Sequence, residues 1–457
     1  MTSASGSAAP GGQTDPFVST RTNYQIASVV SAVGSAMGGL ATAFVVYDRS
    51  KSVLATAMVL ILGNLPTVAL APVSARLLER YGSAKVYSWG SLALCLVTLY
   101  PAVLAATDRL TVAHLFIWQF SCGIVYGLGG ASSSMLTRRL AAPGRVPEFN
   151  AQLGRARALA TLLGLLLGGV VYEALGPVWV FTIDALSYLG APVVLIPMMG
   201  RLGPLSQSRR KVGEGVQAIR ESIGLRAVVV AGGFMALLAA PIGSLLPEIA
   251  RKVGSSSHLL SFLMAAFAFG GLFVAFVIRV LHDRSRWSVV SRTSVVVAGI
   301  GLLLIAALQR TGDDRWVLFV ATIVTLVPIG LALAVMGAVI GSLVQVGAPT
   351  ELRSPVLTVY GVITSLVAPI SGFAFGLLAD KTHVWVPLAV LGVAFLAFVG
   401  LGTDRRLFRH LDQLDGGRSA TSDAVLHLHA GRTLVGLFHL HCSTVELMHP
   451  VEEDSPS

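Results

Sequence analysis

The chain has 457 residues, 54% of them hydrophobic and only 12% charged, with a mean hydropathy of +0.75. Soluble domains carry about 25% charged residues, so a soluble multidomain protein is excluded. The net charge of +10 is read as Lys and Arg orienting membrane helices and meeting anionic lipid, with no nucleic-acid partner.

Residues 1–24 are rich in Ser, Gly, Ala and Pro and are expected to form a disordered leader. They contain no apolar stretch followed by a cleavage site, so targeting falls to the first span. Apolar runs of roughly 20 residues, long enough to cross a hydrocarbon layer about 30 Å thick, then recur at 25–47, 54–75, 86–106, 112–136, 152–173 and 177–199. A second set covers 227–249, 258–281, 289–308, 316–346, 354–379 and 384–403. The fold class expected is an all-α membrane protein of twelve transmembrane helices in two six-helix bundles, residues 25–200 and 227–403. Pro66, Pro72, Pro241, Pro328 and Pro369 within the spans predict kinks, because neighbouring helices re-satisfy the freed backbone groups.

Between the two sets lies a polar linker, residues 201–226, with Arg201, Arg209, Arg210, Lys211, Arg220 and Arg226 against Glu214 and Glu221. It is too basic to enter the bilayer, and residues 213–223 are expected to form an amphipathic helix on its surface. Placing it and both termini in the cytoplasm puts about 25 of the 33 basic residues on that side, as the positive-inside rule requires.

The second half repeats the first at a separation of roughly 205 residues. Glu79-Arg80 corresponds to Asp283-Arg284, and Gly169 to Glu173 with a later VWV corresponds to Gly376 to Asp380 with another VWV. Two parallel halves can rock about a site between them, the arrangement alternating access requires.

Residues 404–457 change character and hold six of the ten histidines, five of them in His427-x-His429, His439-x-His441-Cys442 and His449. Imidazole and thiolate can bind zinc or copper, but no fixed ligand spacing marks a site. The expectation is a solvated cytoplasmic tail with no metal and no cofactor. Cys95 and Cys122 fall inside spans and Cys442 in the tail, so no disulfide framework is expected.

Four stretches, residues 46–86, 148–189, 245–257 and 343–380, carry a family likeness. The chain resembles the major facilitator superfamily, in particular the branch of bacterial efflux permeases that includes macrolide and enterobactin exporters. The resemblance implies a monomeric secondary transporter of the bacterial cytoplasmic membrane. Its departures bear on coupling. The superfamily loop pattern G-x-x-x-D-R-x-G-R-R is represented by Ala75, Glu79, Arg80 and Gly82, with Ser83 and Ala84 replacing the basic pair. Gly34-Ser35 stands where that branch often has Gly-Asp, and Asn64 where it often has a charge. Glu351-Leu352-Arg353-Ser354-Pro355 replaces its usual E-L-R-G-R.

Charged groups in a bilayer are expensive, about 2.5–3.5 kcal/mol each at the centre. Asp184, in FTIDALSYL, is therefore the candidate for proton coupling, by taking up and releasing a proton against substrate. A carboxyl that holds the first bundle together by hydrogen bonds is the alternative. Glu173 and Glu248 read as rim residues, and His114 as an interfacial hydrogen-bonding group. Ser35, Asn64, Gln119, Tyr126, Tyr188 and Tyr360, with Phe234 and Met235 as apolar wall, are the substrate-cavity candidates. A cavity so sparsely charged suits a small amphipathic organic compound.

Glu79, Arg80, Arg155, Asp283, Arg284, Glu351 and Arg353 are candidates for a cytoplasmic gate, closed by ion pairs that separate on opening. Arg155, Arg157 and Arg353 can equally snorkel to headgroups. The glycine groups Gly127, Gly129, Gly130 and Gly164, Gly168, Gly169 lie inside apolar spans and predict close helix packing, not a phosphate cradle. No Walker-type motif occurs, so uphill transport must draw on a gradient. Export in exchange for protons is the expected activity. Solute uptake by symport and a membrane sensor acting through the tail are the alternatives, and an enzyme is not expected.

Overall fold

A computed structural model describes residues 18–129, 132–141, 145–199, 212–254, 256–282, 287–312, 314–349, 352–402, 426–429 and 439–442. The sites expected at Asp283, Arg284, Glu351 and Gly130, together with residues 1–17 and most of the tail, lie outside them. The described part is almost wholly helical: α1 Val18–Ser50, α2 Val53–Ala69, α3 Ala71–Tyr81, α4 Ser83–Ala106, α5 Val112–Gly129, α6 Ser132–Leu140, α7 Val146–Leu175, α8 Pro177–Ser187 and α9 Gly190–Leu195. After the linker helix α10 Val212–Glu221 come α11 Ile223–Val253, α12 Ser257–Leu272, α13 Val274–His282, α14 Trp287–Thr311, α15 Arg315–Gly347, α16 Arg353–Lys381 and α17 Trp385–Gly402. Among the described residues ten helices are long and apolar enough to cross a membrane. The kinked pair α2–α3 and the shorter α17 occupy the second and twelfth positions of the expected pattern. Large apolar side chains stand outward, among them Leu96, Val193, Trp316, Val324 and Ile370. Lipid, not water, is the solvent such a surface fits.

The repeat seen in the sequence is a repeat of contacts. Helix α1 packs on α7, α2 on α5, and α4 on α8 and α9; in the second half α11 packs on α16, α12 on α15, and α14 on α17. The crossings are fixed by glycine. A Cβ at Gly123 would overlap the carbonyl of Gly63, and one at Gly330 would overlap that of Phe267, beside Gly270. Each second span thus touches its fourth span backbone to backbone, where no side chain fits. The α2–α3 break at Leu70 (φ −92°, ψ −1°) has its counterpart at Phe273 between α12 and α13 (φ −85°, ψ −1°). Pro66 lies one turn before the first break. Even the anchors of the first spans repeat: Arg49 Nη1 donates to the Leu110 carbonyl, and Lys252 Nζ to that of Gln309.

Three features differ from the sequence reading. Helix α1 begins at Val18, earlier than the expected start at 25, because its first turns have partners of their own. Tyr24 is fully buried beside Leu136 and Leu140, and Arg21 Nε donates to the Leu140 carbonyl at 2.7 Å. Linker helix α10 is not left on a membrane surface alone: Ala218 and Ile219 enter the core with Leu225, and Gly215 comes against the backbone of Pro355 in α16. In the tail, Leu426–His429 pairs antiparallel with His439–Cys442, setting His427 opposite His441 and His429 opposite His439.

The bundles meet through α2 on α16 and α7 on α12. Leu40, Tyr47, Val53 and Leu165 of the first half share one buried cluster with the second half. Polar cross-bundle contacts are made, among the described residues, at the end carrying the α1–α2, α7–α8, α11–α12 and α16–α17 connections. There Asp380 accepts from Val53 N, Ser257 Oγ donates to Glu173, and Arg251 Nε donates to Tyr47 Oη.

Glycine at the crossings has a measurable counterpart elsewhere in the same fold. Gly330→Val is expected to destabilise the protein by about 3 kcal/mol or more. Gly361→Ala, where an added Cβ meets nothing within 4 Å, should be neutral or stabilising by about 0.5 kcal/mol. Thermal unfolding of the two variants in detergent measures the contrast.

Candidate functional site

Asp184 is 2% exposed in α8 and faces α1. The contact exists because Gly34 and Gly38, one turn apart on α1, present bare backbone to it. A Cβ at Gly38 would overlap the Asp184 carboxylate, and one at Gly34 the side chain of Ser187. Asp184 Oδ1 is buried and has no hydrogen-bond partner among the described residues, and the Ser35 and Tyr188 side chains are neighbours of the carboxyl. The Ser35 and Tyr188 hydroxyl oxygens are 2.9 Å apart, and those of Tyr188 and Tyr126 3.1 Å apart. A line of hydroxyls therefore leads from a buried carboxyl to Tyr126.

That line ends in a cavity of about 260 Å³. Ser28, Ser31 and Ser35 come from α1, Tyr87 and Ser91 from α4, Ser132 and Ser133 from α6, and Arg157 from α7. Val86, Leu94 and Val125 supply apolar wall. Arg157 is the cavity's single charged side chain, and its Nη2 lies 3.3 Å from Ser28 Oγ. Such a lining offers hydrogen bonds in many directions around one cation. It binds polar functions of an uncharged or partly anionic organic molecule while the valines and leucine hold an apolar part.

The candidates named from sequence are divided by the fold. Ser35, Tyr126 and Tyr188 converge beside Asp184. Gln119 packs on Gly63 at the α2–α5 crossing, near Asn64 in the chain. Phe234 stacks on Phe398 with ring centroids 4.9 Å apart, Met235 is buried, and the Tyr360 ring lies against Gly232. The second-bundle candidates thus form a separate apolar wall. The cavity described here belongs entirely to the first bundle, whereas the sequence reading expected one between bundles.

Of the gate candidates, Glu79, Arg80, Arg155 and Arg353 make no ion pair among the described residues. Arg80 lies over the Tyr81 ring, and the exposed Arg155 donates to the Ala151 carbonyl at 3.3 Å. Glu248 is paired with Arg251 at 2.8 Å, and His114 Nδ1 lies 3.0 Å from Thr111 Oγ1 at the start of α5.

Sequence reasoning named Ser35 and missed the other serines. Ser28, Ser31 and Ser35 fall at i, i+3 and i+7, one face of an apolar helix, and that periodicity marks a polar face inside a membrane span. Tyr87 and Arg157 had no such signal, because only the packing of α4 and α7 on α1 brings them to it.

Two matched six-helix bundles, closed on each other at one end and holding a polar cavity among apolar helices, define a membrane transporter. The chain belongs to the Major Facilitator Superfamily, which it matches over residues 26–372. It is 24% identical over 386 residues to macrolide efflux protein A of Streptococcus pyogenes, covering 81% of this chain and 92% of that protein. Macrolide efflux protein A of Enterococcus faecalis is 25% identical over 334 residues, 69% of this chain and 99% of that protein. Solved structures share the fold at low identity. A POT family transporter in complex with 5-aminolevulinic acid has a TM-score of 0.67 at 11% identity, over 86% of this chain and 96% of that one. A bacterial homologue of ferroportin in an inward-facing state has a TM-score of 0.64 at 18% identity, over 84% of this chain and 99% of that one.

The α1–α8 contact is sterically exact enough to test. Gly38→Ala, which sets a methyl against the Asp184 carboxylate, is expected to destabilise by about 1–3 kcal/mol. Tyr188→Phe, which removes one hydroxyl from the line, should cost about 1 kcal/mol. Both are read by thermal melting in detergent, with Tyr81→Phe, outside the cluster, as the unaffected control.

Proposed function

We propose that this chain exports a small amphipathic organic compound across the bacterial cytoplasmic membrane by alternating access, in exchange for protons. The observation that carries this reading is Asp184, a lone buried carboxyl with an unpartnered oxygen and a line of hydroxyls to a cavity. A carboxyl placed there can hold a proton on Oδ1 in one state of the cycle and lose it along the hydroxyls in another. Binding in the cavity competes for the same Ser35, Tyr126 and Tyr188 hydroxyls, and shared groups are what an exchange of proton for substrate needs. The direction, outward, is supported by the likeness to macrolide efflux proteins along most of their length.

The positive-inside distribution puts both termini and the basic connections in the cytoplasm. The end held by Asp380, Glu173 and Arg251 then faces outward. With that end closed, a cytoplasmic gate is expected to be unmade, in keeping with the absence of an ion pair at Glu79, Arg80, Arg155 and Arg353 among the described residues. These residues, with Asp283, Arg284 and Glu351, would pair across the cytoplasmic mouth when the outer end separates.

The test is a resistance screen over a panel of amphipathic compounds, followed by purified protein in liposomes under an imposed pH gradient. Asp184→Asn keeps the shape and is expected to lower gradient-driven export at least about tenfold while leaving expression unchanged. Accumulation of a compound by cells expressing the protein would replace export by uptake. Transport of a panel compound at equal rates by both proteins would remove Asp184 from coupling.

A further inference from the structure

The first amides of a helix have no partner within it and must find one elsewhere. At the start of α2 every one is accounted for. Ser52 N donates to Ser50 Oγ at 3.2 Å, and Ala55 N to the Ser52 side chain at 3.0 Å. The two amides between them are served from the other bundle: Val53 N donates to Asp380 Oδ1 at 2.7 Å and Leu54 N to Oδ2 at 3.3 Å. The Ser52 hydroxyl donates to Oδ2 as well. Asp380, at the end of α16, is thus the cap of a helix 326 residues away in sequence.

The symmetry-related place is built alike. Ser257, at the start of α12, donates its hydroxyl to Glu173 Oε2 at 2.7 Å, and Glu173 ends α7 as Asp380 ends α16. Each acid follows a glycine four positions earlier that admits the opposing helix. A Cβ at Gly376 would come within 2.9 Å of Leu54 Cα, and one at Gly169 within 2.7 Å of Ser261 Cβ. Both carboxylates are at the surface, so water can replace their bonds when the helices part. They also place negative charge at a helix N-terminus, where it is favoured.

We propose that Asp380 and Glu173 are the paired gate residues of this end, each holding the second span of the opposite bundle while the end is closed and releasing it when the end opens. This deepens the alternating-access reading and rests on it. The two halves of the gate are unequal. Asp380 takes two backbone amides and a hydroxyl, whereas Glu173 takes one hydroxyl, so Asp380 carries the larger share.

The experiment measures the gate without any transported compound. Arg109→Cys and His383→Cys, on the α4–α5 and α16–α17 connections, are spin-labelled in a Cys442→Ser background. Cys95 and Cys122 are buried and take no label. Pulsed electron-electron distances in lipid then give the ratio of separated to closed molecules. Asp380→Ala should raise that ratio at least about tenfold, the effect of losing more than one charge-assisted bond. Glu173→Ala should raise it about threefold. If Asp380→Ala does not purify as a monodisperse helical protein, Asp380→Asn carries the test, with an expected rise of about threefold or more.

An unchanged distribution in the Asp380 variant overturns the proposal, and so does a shift from Glu173→Ala equal to or larger than that from Asp380→Ala. A shifted distribution in a protein that exports no panel compound leaves the gate standing and removes the export reading. Intact export with an unshifted distribution does the reverse.

Discussion

Hydrocarbon offers no hydrogen-bond partner to a peptide group, and nearly every feature of this molecule follows from that constraint. It confines the chain to helices, so that amides and carbonyls meet each other. It also removes the hydrophobic drive between helices, because lipid is as apolar as leucine. Close contact must therefore come from shape, and the shape is supplied by glycine. At Gly63 with Gly123, and at Gly270 with Gly330, backbones meet directly, so the second and fourth spans of both bundles are in close contact. The spans that line the inter-bundle contact are positioned by these crossings. A single added methyl there would displace a whole helix rather than one rotamer.

The same constraint explains where polar groups occur. Hydroxyls are tolerated inside a span because a Ser or Thr can donate to the carbonyl one turn back, as Thr42 does to Gly38 and Thr322 to Leu318 at 2.7 Å each. The first bundle collects such groups into a cavity that also holds Arg157, with Asp184 buried beside it. The second bundle holds mostly apolar side chains in the matching region, with Phe234 stacked on Phe398 and Met235 in its core. Two halves of common backbone thus differ in side chains: one holds the buried polar groups, and the other an apolar cluster. The backbone repeat is the older constraint physically, since the fold survives any side-chain divergence that respects the glycine contacts.

How much of this was legible in the sequence depends on the distance over which each feature is determined. Spans, the basic linker, the repeat and the packing role of Gly127, Gly164 and Gly168 are set within about one helix length, and composition and periodicity report them. Asp184 was legible because a lone acid in an apolar run is conspicuous wherever the run lies. Its neighbours were legible in part: Ser35 and Tyr188 flank it in space because Gly34 and Gly38 clear the way, and a Gly-x-x-x-Gly spacing in the first span carries that information. Tyr87 and Arg157 depend on the mutual rotation of three helices, which no local pattern encodes. The early start of α1 escaped for a related reason. Its first turns are polar and read as leader, yet Arg21 and Tyr24 are held by residues around position 140. Composition registers the polarity and not the partner.

The hardest feature to read was the cap on α2, and the reason is instructive about switching. Ser52 alone is a recognisable N-cap, so the sequence shows a helix start that needs nothing further. The structure shows that one side chain serves only Ala55, and that two amides are left for the opposite bundle to satisfy. A helix whose capping is completed within its own bundle would be indifferent to whether the bundles touch. A helix with incomplete local capping is sensitive to it, because its end groups change partner from carboxylate to water when the bundles part. Such an exchange involves charge-assisted bonds of about 1.5–3 kcal/mol each against competent solvent, small enough to be reversed by substrate or proton binding and large enough to bias which end is open. Placing those bonds at the membrane surface, where water can replace them, is what keeps the change reversible. The same bonds in the hydrocarbon layer would have no replacement and would lock the molecule in one state.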